Sequence, residues 1–166
     1  AYVDSGATLT APMGDVLVTS TSTSFTNAVA TGAAVSFLNV TAMLADSTIS
    51  APTRAFVTGG VRVNAGGFRL FAHGFGKEGV TERTALSKVT VGGVSVVGGD
   101  GGKATSTVSG AVEAYVDQLA SININPAINT SGAIEIEAEA KSQAATDTPG
   151  GSGGGVTVTA LLGEAT

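Results

Sequence analysis

The sequence predicts an all-β fold, a right-handed parallel β-helix (β-solenoid) built from three degenerate repeats. Three observations favour it: an aromatic-valine pair recurs along the chain, period-two alternation is widespread, and small residues dominate. The pairs are Tyr2-Val3, Phe56-Val57 and Tyr115-Val116. Similar units at a regular spacing are typical of repeat architectures, in which each unit buries its apolar face against its neighbours.

We place residues 1–166 in a single solenoid segment with three repeats. Repeat 1 covers residues 1–54, repeat 2 covers residues 55–113, and repeat 3 covers residues 114–166. At about 54 residues a repeat, we expect two coils of roughly 27 residues in each. Parallel crossover connections are right-handed, and this rule sets the predicted hand of the coil.

Alternation of apolar and polar residues predicts the strands of each repeat and the residues that face the core. In residues 134–140, Ile134 and Ile136 fall on one face, and Glu135, Glu137 and Glu139 fall on the other. Successive side chains of a strand point to opposite faces, so the apolar set should point inward. The predicted core is Leu9, Val16, Val18, Val35, Phe37, Val61, Val63, Phe68, Leu70, Val94, Val96, Ile122, Ile124, Ile134, Ile136, Val156 and Val158.

Glycine-bearing segments predict the breaks between these strands. Turns are expected at residues 13–15, 65–67 and 129–132. The glycine-rich residues 149–155 predict a long turn inside repeat 3. Residues 82–87 could form one helical turn, and the sequence offers little other helix signal.

Composition and charge exclude several classes of function. Charged residues make up 13% of the chain, the net charge is −5, and the eight Lys and Arg residues form no cluster. A nucleic-acid partner needs concentrated basic residues, so none is expected. No apolar run approaches the roughly 18 residues of a membrane helix, so no membrane span is expected. The absence of cysteine excludes disulfides and thiol chemistry.

Residues 1–18 contain the pattern Ala-Tyr-Val-x-x-Gly-Ala-x-Leu-x-Ala followed by Gly-Asp-Val-x-Val, and residues 53–68 carry a second copy. A third copy opens at Glu113-Ala114-Tyr115-Val116, where Leu119-Ala120 replaces the Gly-Ala pair. This pattern resembles repeats of giant secreted bacterial surface proteins, the filamentous-haemagglutinin-like adhesins and related autotransporter-type proteins. The resemblance covers the whole chain. It implies a β-solenoid, export to the bacterial cell surface and a structural role, and it brings no catalytic residues.

Two glycine motifs have simpler interpretations than ligand binding. Residues 74–79 fit the dinucleotide-binding pattern G-x-G-x-x-G. That fold needs a helix directly after the motif and an acidic residue about 20 positions on to bind the ribose of the dinucleotide. No helix is predicted here and Asp100 comes too late in the sequence, so a turn is predicted. Residues 97–103 are similar to a calcium-binding nonapeptide repeat, but Lys103 stands where a second acidic ligand is needed. No cofactor is therefore expected.

The candidate catalytic or ligating side chains also have structural interpretations. His73 is the single histidine and is predicted to lie on the surface or in a turn. Glu135, Glu137 and Glu139 form a row that is expected to face solvent, although paired carboxylates can serve glycoside chemistry. The hydroxyl array of Thr19, Thr21 and Thr23 with Ser20, Ser22 and Ser24 is expected to be a solvent-facing strand surface. We assign no catalytic, cofactor-binding or metal-binding residue.

We expect a non-enzymatic structural segment of an extracellular bacterial adhesin or cell-surface filament, forming a rigid stalk or fibre for attachment or matrix. Neither end of the sequence resembles a capping repeat, so open strand edges should pair end to end with adjacent repeats or with further copies. Surface glycans are additional candidate partners. One alternative is a self-assembling pilus-like subunit, a β-sandwich joined by strand donation, whose strands would pair antiparallel. Another is a β-helix that binds or processes polysaccharides.

Overall fold

A computed structural model describes residues 1–76, 82–124 and 134–166. The described residues form eleven β-strands and no helix, so the predicted all-β class is confirmed. The strands are β1 (Tyr2–Val3), β2 (Thr8–Thr23), β3 (Phe25–Ile49), β4 (Thr53–Val57), β5 (Arg62–Phe75), β6 (Arg83–Val108), β7 (Val112–Val116), β8 (Ser121–Ile124), β9 (Ile134–Ala140), β10 (Ser142–Asp147) and β11 (Gly150–Ala165).

The strand pairs among these residues are all parallel, which confirms parallel sheets. One sheet has the order β1-β4-β7. In a second, β5 lies between β2 on one side and β8 and β9 on the other, and in a third, β6 lies between β3 and the pair β10 and β11. We call β1–β3 the first layer, β4–β6 the middle layer and β7–β11 the third layer. The antiparallel pairing required by the pilus-like sandwich does not occur among the described strands.

Each repeat adds one strand, or one broken strand, to each sheet. Tyr2 lies opposite Phe56, and Phe56 lies opposite Tyr115. Direct neighbours are therefore more than 50 positions apart in the sequence, from 52 for Asp15 and Gly67 to 66 for Phe68 and Ile134. The expected coil of roughly 27 residues is wrong, because a coil of that length would pair residues at half this spacing.

The chain divides into two compact units, each with its own core. Unit 1 comprises Ala1–Thr23, Ala51–Thr81 and Gly110–Lys141, and unit 2 comprises Ser24–Ser50, Glu82–Ser109 and Ser142–Thr166. Unit 1 holds the β1-β4-β7 and β2-β5-β8-β9 sheets, and unit 2 holds the sheet around β6.

The core of unit 1 lies in the middle layer. Four predicted core residues, Val61, Val63, Phe68 and Leu70, are fully buried, which confirms them. They pack with Ala55, Val57, Ala65 and Ala72. The predicted residues Leu9, Val16, Val18 and Ile122 are half-buried and pack against this cluster from the outer layers. A middle-layer side chain has neighbours on both sides, so it loses more solvent contact than its counterparts in the outer layers.

Two predicted core residues of the third layer are exposed. Ile134 lies opposite Phe68 and Ile136 opposite Leu70, so both occupy the expected face. They are nevertheless 53% and 46% exposed, because β9 has a paired neighbour on one edge alone. Glu135 and Glu137 are exposed, as predicted. The side chain of Ile124 and the turn at residues 129–132 lie outside the described residues.

Unit 2 has a narrow interior made of small residues. Ala45, Val89, Val91 and Ala104 form its buried apolar cluster. In each layer, side chains eleven positions apart face one another: Gly32 faces Met43, Val91 faces Gly102, and Gly150 faces Leu161. The Ser87 hydroxyl also donates a hydrogen bond to the Thr105 carbonyl, at 2.5 Å. The chain therefore reverses direction between the facing positions, near residues 35–40, 94–99 and 153–158.

This reversal explains why the prediction of burial is wrong for six residues. Val35 is 84% and Phe37 74% exposed, and the other four are also exposed. The six are Val35, Phe37, Val94, Val96, Val156 and Val158. They lie where the chain turns back, and no opposing segment of the described chain covers their side chains.

Several predicted breaks are continuous strand. Residues 150–154, in the segment expected to form a long turn, begin β11 and pair with β6, and the chain reverses only at the end of this segment, near residues 153–158. Residues 83–87, expected to form a helical turn, begin β6. The turn at residues 13–15 is a register shift inside β2, between Ala11 and Asp15, and β5 runs through residues 65–67. Pairing in the parallel sheet outweighs the local preference of glycine at residues 150–154.

Candidate functional site

The outer strands of the sheets present one unpaired edge each. Among the described residues, β3 pairs along one side with β6, and β11 pairs along one side with the same strand. β2 and β9 are likewise paired with β5 alone. A free edge is a row of backbone donors and acceptors that another strand can pair with. These edges, up to 25 residues long in β3, are candidate interaction surfaces.

A column of aromatic rings crosses the three layers of unit 1. The ring centroids of Tyr2 and Phe56 are 5.3 Å apart, and those of Phe56 and Tyr115 are 5.2 Å apart, with nearly parallel planes. Tyr2 and Tyr115 are exposed, so the column lies on the outside of the sheet. Each stacked pair contributes about 0.5–1.5 kcal/mol beyond the burial of its area. The column ties the register of each layer to the next.

Ion pairs also connect the layers of unit 1, always from a basic residue in the middle layer. Arg54 Nε lies 2.6 Å from Glu113 Oε2 in the third layer. Arg69 Nε lies between two carboxylates, 3.5 Å from Asp15 Oδ2 in the first layer and 3.7 Å from Glu135 Oε2 in the third. These side chains are about half exposed, so each pair contributes at most about 1 kcal/mol. The main effect of these ion pairs is to specify which residues lie opposite one another in neighbouring layers.

Unit 2 follows the same charge order. Lys88 Nζ lies 2.8 Å from Asp147 Oδ2, and Lys103 Nζ lies 3.6 Å from Glu164 Oε2. Both lysines belong to the middle layer and both carboxylates to the third. A basic layer therefore lies against an acidic one in each unit.

The reversal of unit 2 forms an exposed apolar patch. Leu38, Val97 and Val156 lie opposite one another in the three layers. Val35, Phe37 and Val40 extend the patch on the first layer. Contiguous exposed apolar surface is typical of interaction sites.

Unit 1 also brings together a histidine and two glutamates on its outer face. Glu139 lies opposite His73, and Glu137 lies opposite Phe71. Nitrogen or oxygen ligand atoms of His73, Glu137 and Glu139 all lie within 4.8 Å of one another. The imidazole lies between two rings. It is stacked on Phe71 at a centroid distance of 5.6 Å and tilted by 41° against Phe75 at 5.3 Å. These three polar side chains could hold a cation.

This histidine and these glutamates are separate features in the sequence, and the fold brings them together. His73 is predicted to lie on the surface or in a turn, and Glu137 and Glu139 to belong to a solvent-facing row. They meet because β9 pairs with β5 in one particular register. No local sequence signal contains that register, since the two segments are far apart in the chain.

The other motifs occupy ordinary strand positions. Asp100, from the segment similar to a calcium-binding repeat, is buried and accepts a 3.3 Å hydrogen bond from Asn39 Nδ2. Residues 74–75 of the G-x-G-x-x-G segment end β5, and residues 77–79 lie outside the described part of the chain. The array of threonine and serine hydroxyls divides between two faces. Thr19, Thr21 and Thr23 are exposed, whereas the Ser22 hydroxyl is hydrogen-bonded to the Thr53 hydroxyl.

Comparison with known proteins adds no identification. No protein-family model, curated protein or solved structure matches this chain. Within the residues that the structure describes, no helix is long and apolar enough to cross a membrane. Any assignment of function therefore depends on the geometry above.

Proposed function

We propose that this chain is a segment of a right-handed β-solenoid that serves as a non-catalytic structural element of an extracellular bacterial adhesin or cell-surface filament. One observation carries the proposal. Like residues of the three repeats lie opposite one another in parallel register, as in the Tyr2–Phe56–Tyr115 column, and the outer strands have unpaired edges. Elongated solenoids are built in this way, from similar units that stack on one another, and an exposed edge allows a further layer to be added.

The next layer of such a stack would pair with β3 or β11 along most of its length. β3 has 25 residues and β11 has 16, so either edge offers many backbone groups. A neighbour with an aromatic residue in register would extend the Tyr2–Phe56–Tyr115 column by another ring. The resemblance of these repeats to those of giant secreted adhesins agrees with such a role and with export to the cell surface.

Charge favours a different layer, rather than an identical copy, as the next neighbour. Residues 1–52 contain Asp4, Asp15 and Asp46 and no Lys or Arg. Residues 112–166 contain seven carboxylate side chains and Lys141 as the single base. Head-to-tail stacking of two copies would place these two acidic layers together, whereas the acidic layers of the molecule itself pair with a basic one. Like charges directly opposite on neighbouring strands are destabilising.

One column makes this conflict specific. Asp46 and Glu164 both lie opposite Thr105, from the two sides of β6. In-register stacking of a second copy would therefore bring Glu164 of one molecule opposite Asp46 of the next. Residues 1–166 should remain largely monomeric at about 0.01 M salt and form filaments at about 1 M, where the Debye length falls from about 30 Å to about 3 Å.

The experiment measures mass by light scattering and morphology by electron microscopy for the parent, Asp46→Lys and Asp46→Asn. Asp46→Lys should assemble at the lowest salt concentration, and Asp46→Asn should lie between it and the parent. Asp46 is exposed and hydrogen-bonded to Thr48 alone among the described partners, so the folded monomer should tolerate both changes. Monomers of all three proteins at every salt concentration would refute edge pairing. Filaments that form equally in all three would refute the charge argument.

A further inference from the structure

We infer that His73, Glu137 and Glu139 form a binding site for a divalent transition-metal ion, with zinc as the ion that fits best. The site lies on the outer face of unit 1 and takes ligands from the middle and third layers. It is independent of the proposed structural role, because neither edge pairing nor charge order requires a bound ion.

The distances suit coordination after small side-chain rotations. Candidate ligand atoms lie within 4.8 Å of one another. Zinc bound tetrahedrally at about 2.0–2.2 Å separates its ligands by about 3.4 Å. Cross-strand neighbours have Cβ atoms about 5 Å apart and diagonal neighbours somewhat more, which the long glutamate side chain spans. Glu137 is exposed and Glu139 half-buried, so both carboxylates have room to turn toward a shared ion.

The donor set selects among cations. One imidazole nitrogen with two carboxylates suits zinc and neighbouring transition metals, whereas calcium and magnesium prefer oxygen ligands alone. Three protein ligands leave a fourth tetrahedral position for water. We therefore expect Zn²⁺ and Co²⁺ to bind and Ca²⁺ and Mg²⁺ to bind much more weakly.

The surroundings of His73 restrain its ring. Phe71 and Phe75 flank the imidazole along β5, at centroid distances of 5.6 Å and 5.3 Å. These rings limit its rotation and displace water from both sides, which strengthens electrostatic attraction to the ion. Lys141 Nζ, 3.9 Å from Glu139 Oε1, is the competing cation, and its contact is long.

A bound ion would connect two strands that are otherwise joined by backbone hydrogen bonds. His73 belongs to β5, and both glutamates belong to β9. Since the ion binds a site present only when β9 is paired with β5, it should stabilise the folded protein by mass action.

The test uses the tag-free protein, in which His73 is the single histidine. Co²⁺ is titrated by visible absorbance, Zn²⁺ by calorimetry, and the imidazole is followed by NMR, where its signals need no assignment. We expect one ion per chain, a shift of the imidazole signals at saturation and a higher urea midpoint with Zn²⁺. His73→Gln and Glu139→Gln should each weaken binding at least tenfold, because loss of even an outer-shell partner costs about 10–100-fold.

The matched control is Glu135→Gln. Glu135 lies on the same face of β9 but is paired with Arg69, so its change alters the same charge without removing a ligand. Its affinity for Zn²⁺ should equal that of the parent. Two results with the parent protein alone would overturn the proposed site: no saturable binding of Zn²⁺, or imidazole signals that do not change at saturating Zn²⁺. Equal weakening by Glu135→Gln and Glu139→Gln would also overturn it, because diffuse attraction to the acidic row would then explain binding.

Discussion

Truncation of two side chains of one column, in the middle and third layers, tests whether the outer edges are open in solution. Val18, Leu70 and Ile136 lie opposite one another on β2, β5 and β9. Leu70 is fully buried, whereas Ile136 is 46% exposed. Leu70→Ala should lower the free energy of unfolding by about 2–5 kcal/mol, the usual cost for a buried leucine. Ile136→Ala should cost about half as much, about 1–2 kcal/mol, because about half of the side chain is already in contact with water.

The assay is urea unfolding of the parent and both variants at low salt and micromolar concentration, where the protein is expected to be monomeric. The midpoint and slope give the free energy of unfolding, and an unchanged slope shows that the unfolded states are comparable. Equal costs for Leu70→Ala and Ile136→Ala would mean that β9 is covered in solution, contrary to the open edge. A cost below about 1 kcal/mol for Leu70→Ala would refute the position of the core. Under conditions that produce filaments, the cost of Ile136→Ala should rise toward that of Leu70→Ala.

Two further predictions concern backbone strain and the interior of unit 2. Leu119 has a φ of 66° where the equivalent turns have Gly6 at 77° and Gly60 at 79°, and its side chain is 89% exposed. Leu119→Gly should therefore raise the free energy of unfolding by about 0.5–1 kcal/mol, since relief of about 1–2 kcal/mol of strain exceeds the entropic cost of glycine; a urea midpoint at or below that of the parent would contradict this. A Cβ on Gly102 would lie 2.6 Å from Val89 Cγ1 and 3.0 Å from Val91 Cγ2, so Gly102→Met should destabilise by about 1–3 kcal/mol. Adding Val91→Gly should recover part of that loss by reproducing the small-large pairing of the first layer, and a double variant no more stable than the single one would refute the facing geometry.

Much of the fold could be predicted from local patterns in the sequence. Alternation identified the strands. The recurrence of Tyr2, Phe56 and Tyr115 marked equivalent positions of the repeats, but the predicted coil of roughly 27 residues would not have placed them directly opposite one another, as the structure does. Alternation also identified the buried Val63 and Leu70 correctly. These features depend on short or repeated segments of the sequence, so they can be predicted from a single sequence.

The tertiary structure decided which of the apolar faces are covered. Phe37 and Val94 alternate as regularly as Val63, but the chain reverses at their positions and no segment packs over them. The glycine-rich residues 150–154 pair with β6 as strand, and the reversal predicted for this segment comes at its end, near residues 153–158. Alternation in the sequence indicates that the two faces of a strand differ in polarity. Whether the apolar face is buried depends on whether another segment packs against it, which is a property of the folded chain.

The sequence by itself determined that this protein is all-β, rich in small residues, acidic and built from recurring parallel strands. It could not place His73 beside Glu137 and Glu139, because the register of β9 on β5 depends on the connection between distant segments. A shift of one residue in that register would move the two carboxylates to the opposite face and away from the imidazole. The cluster therefore exists through strand pairing, which balances backbone hydrogen bonds and side-chain packing over the whole sheet.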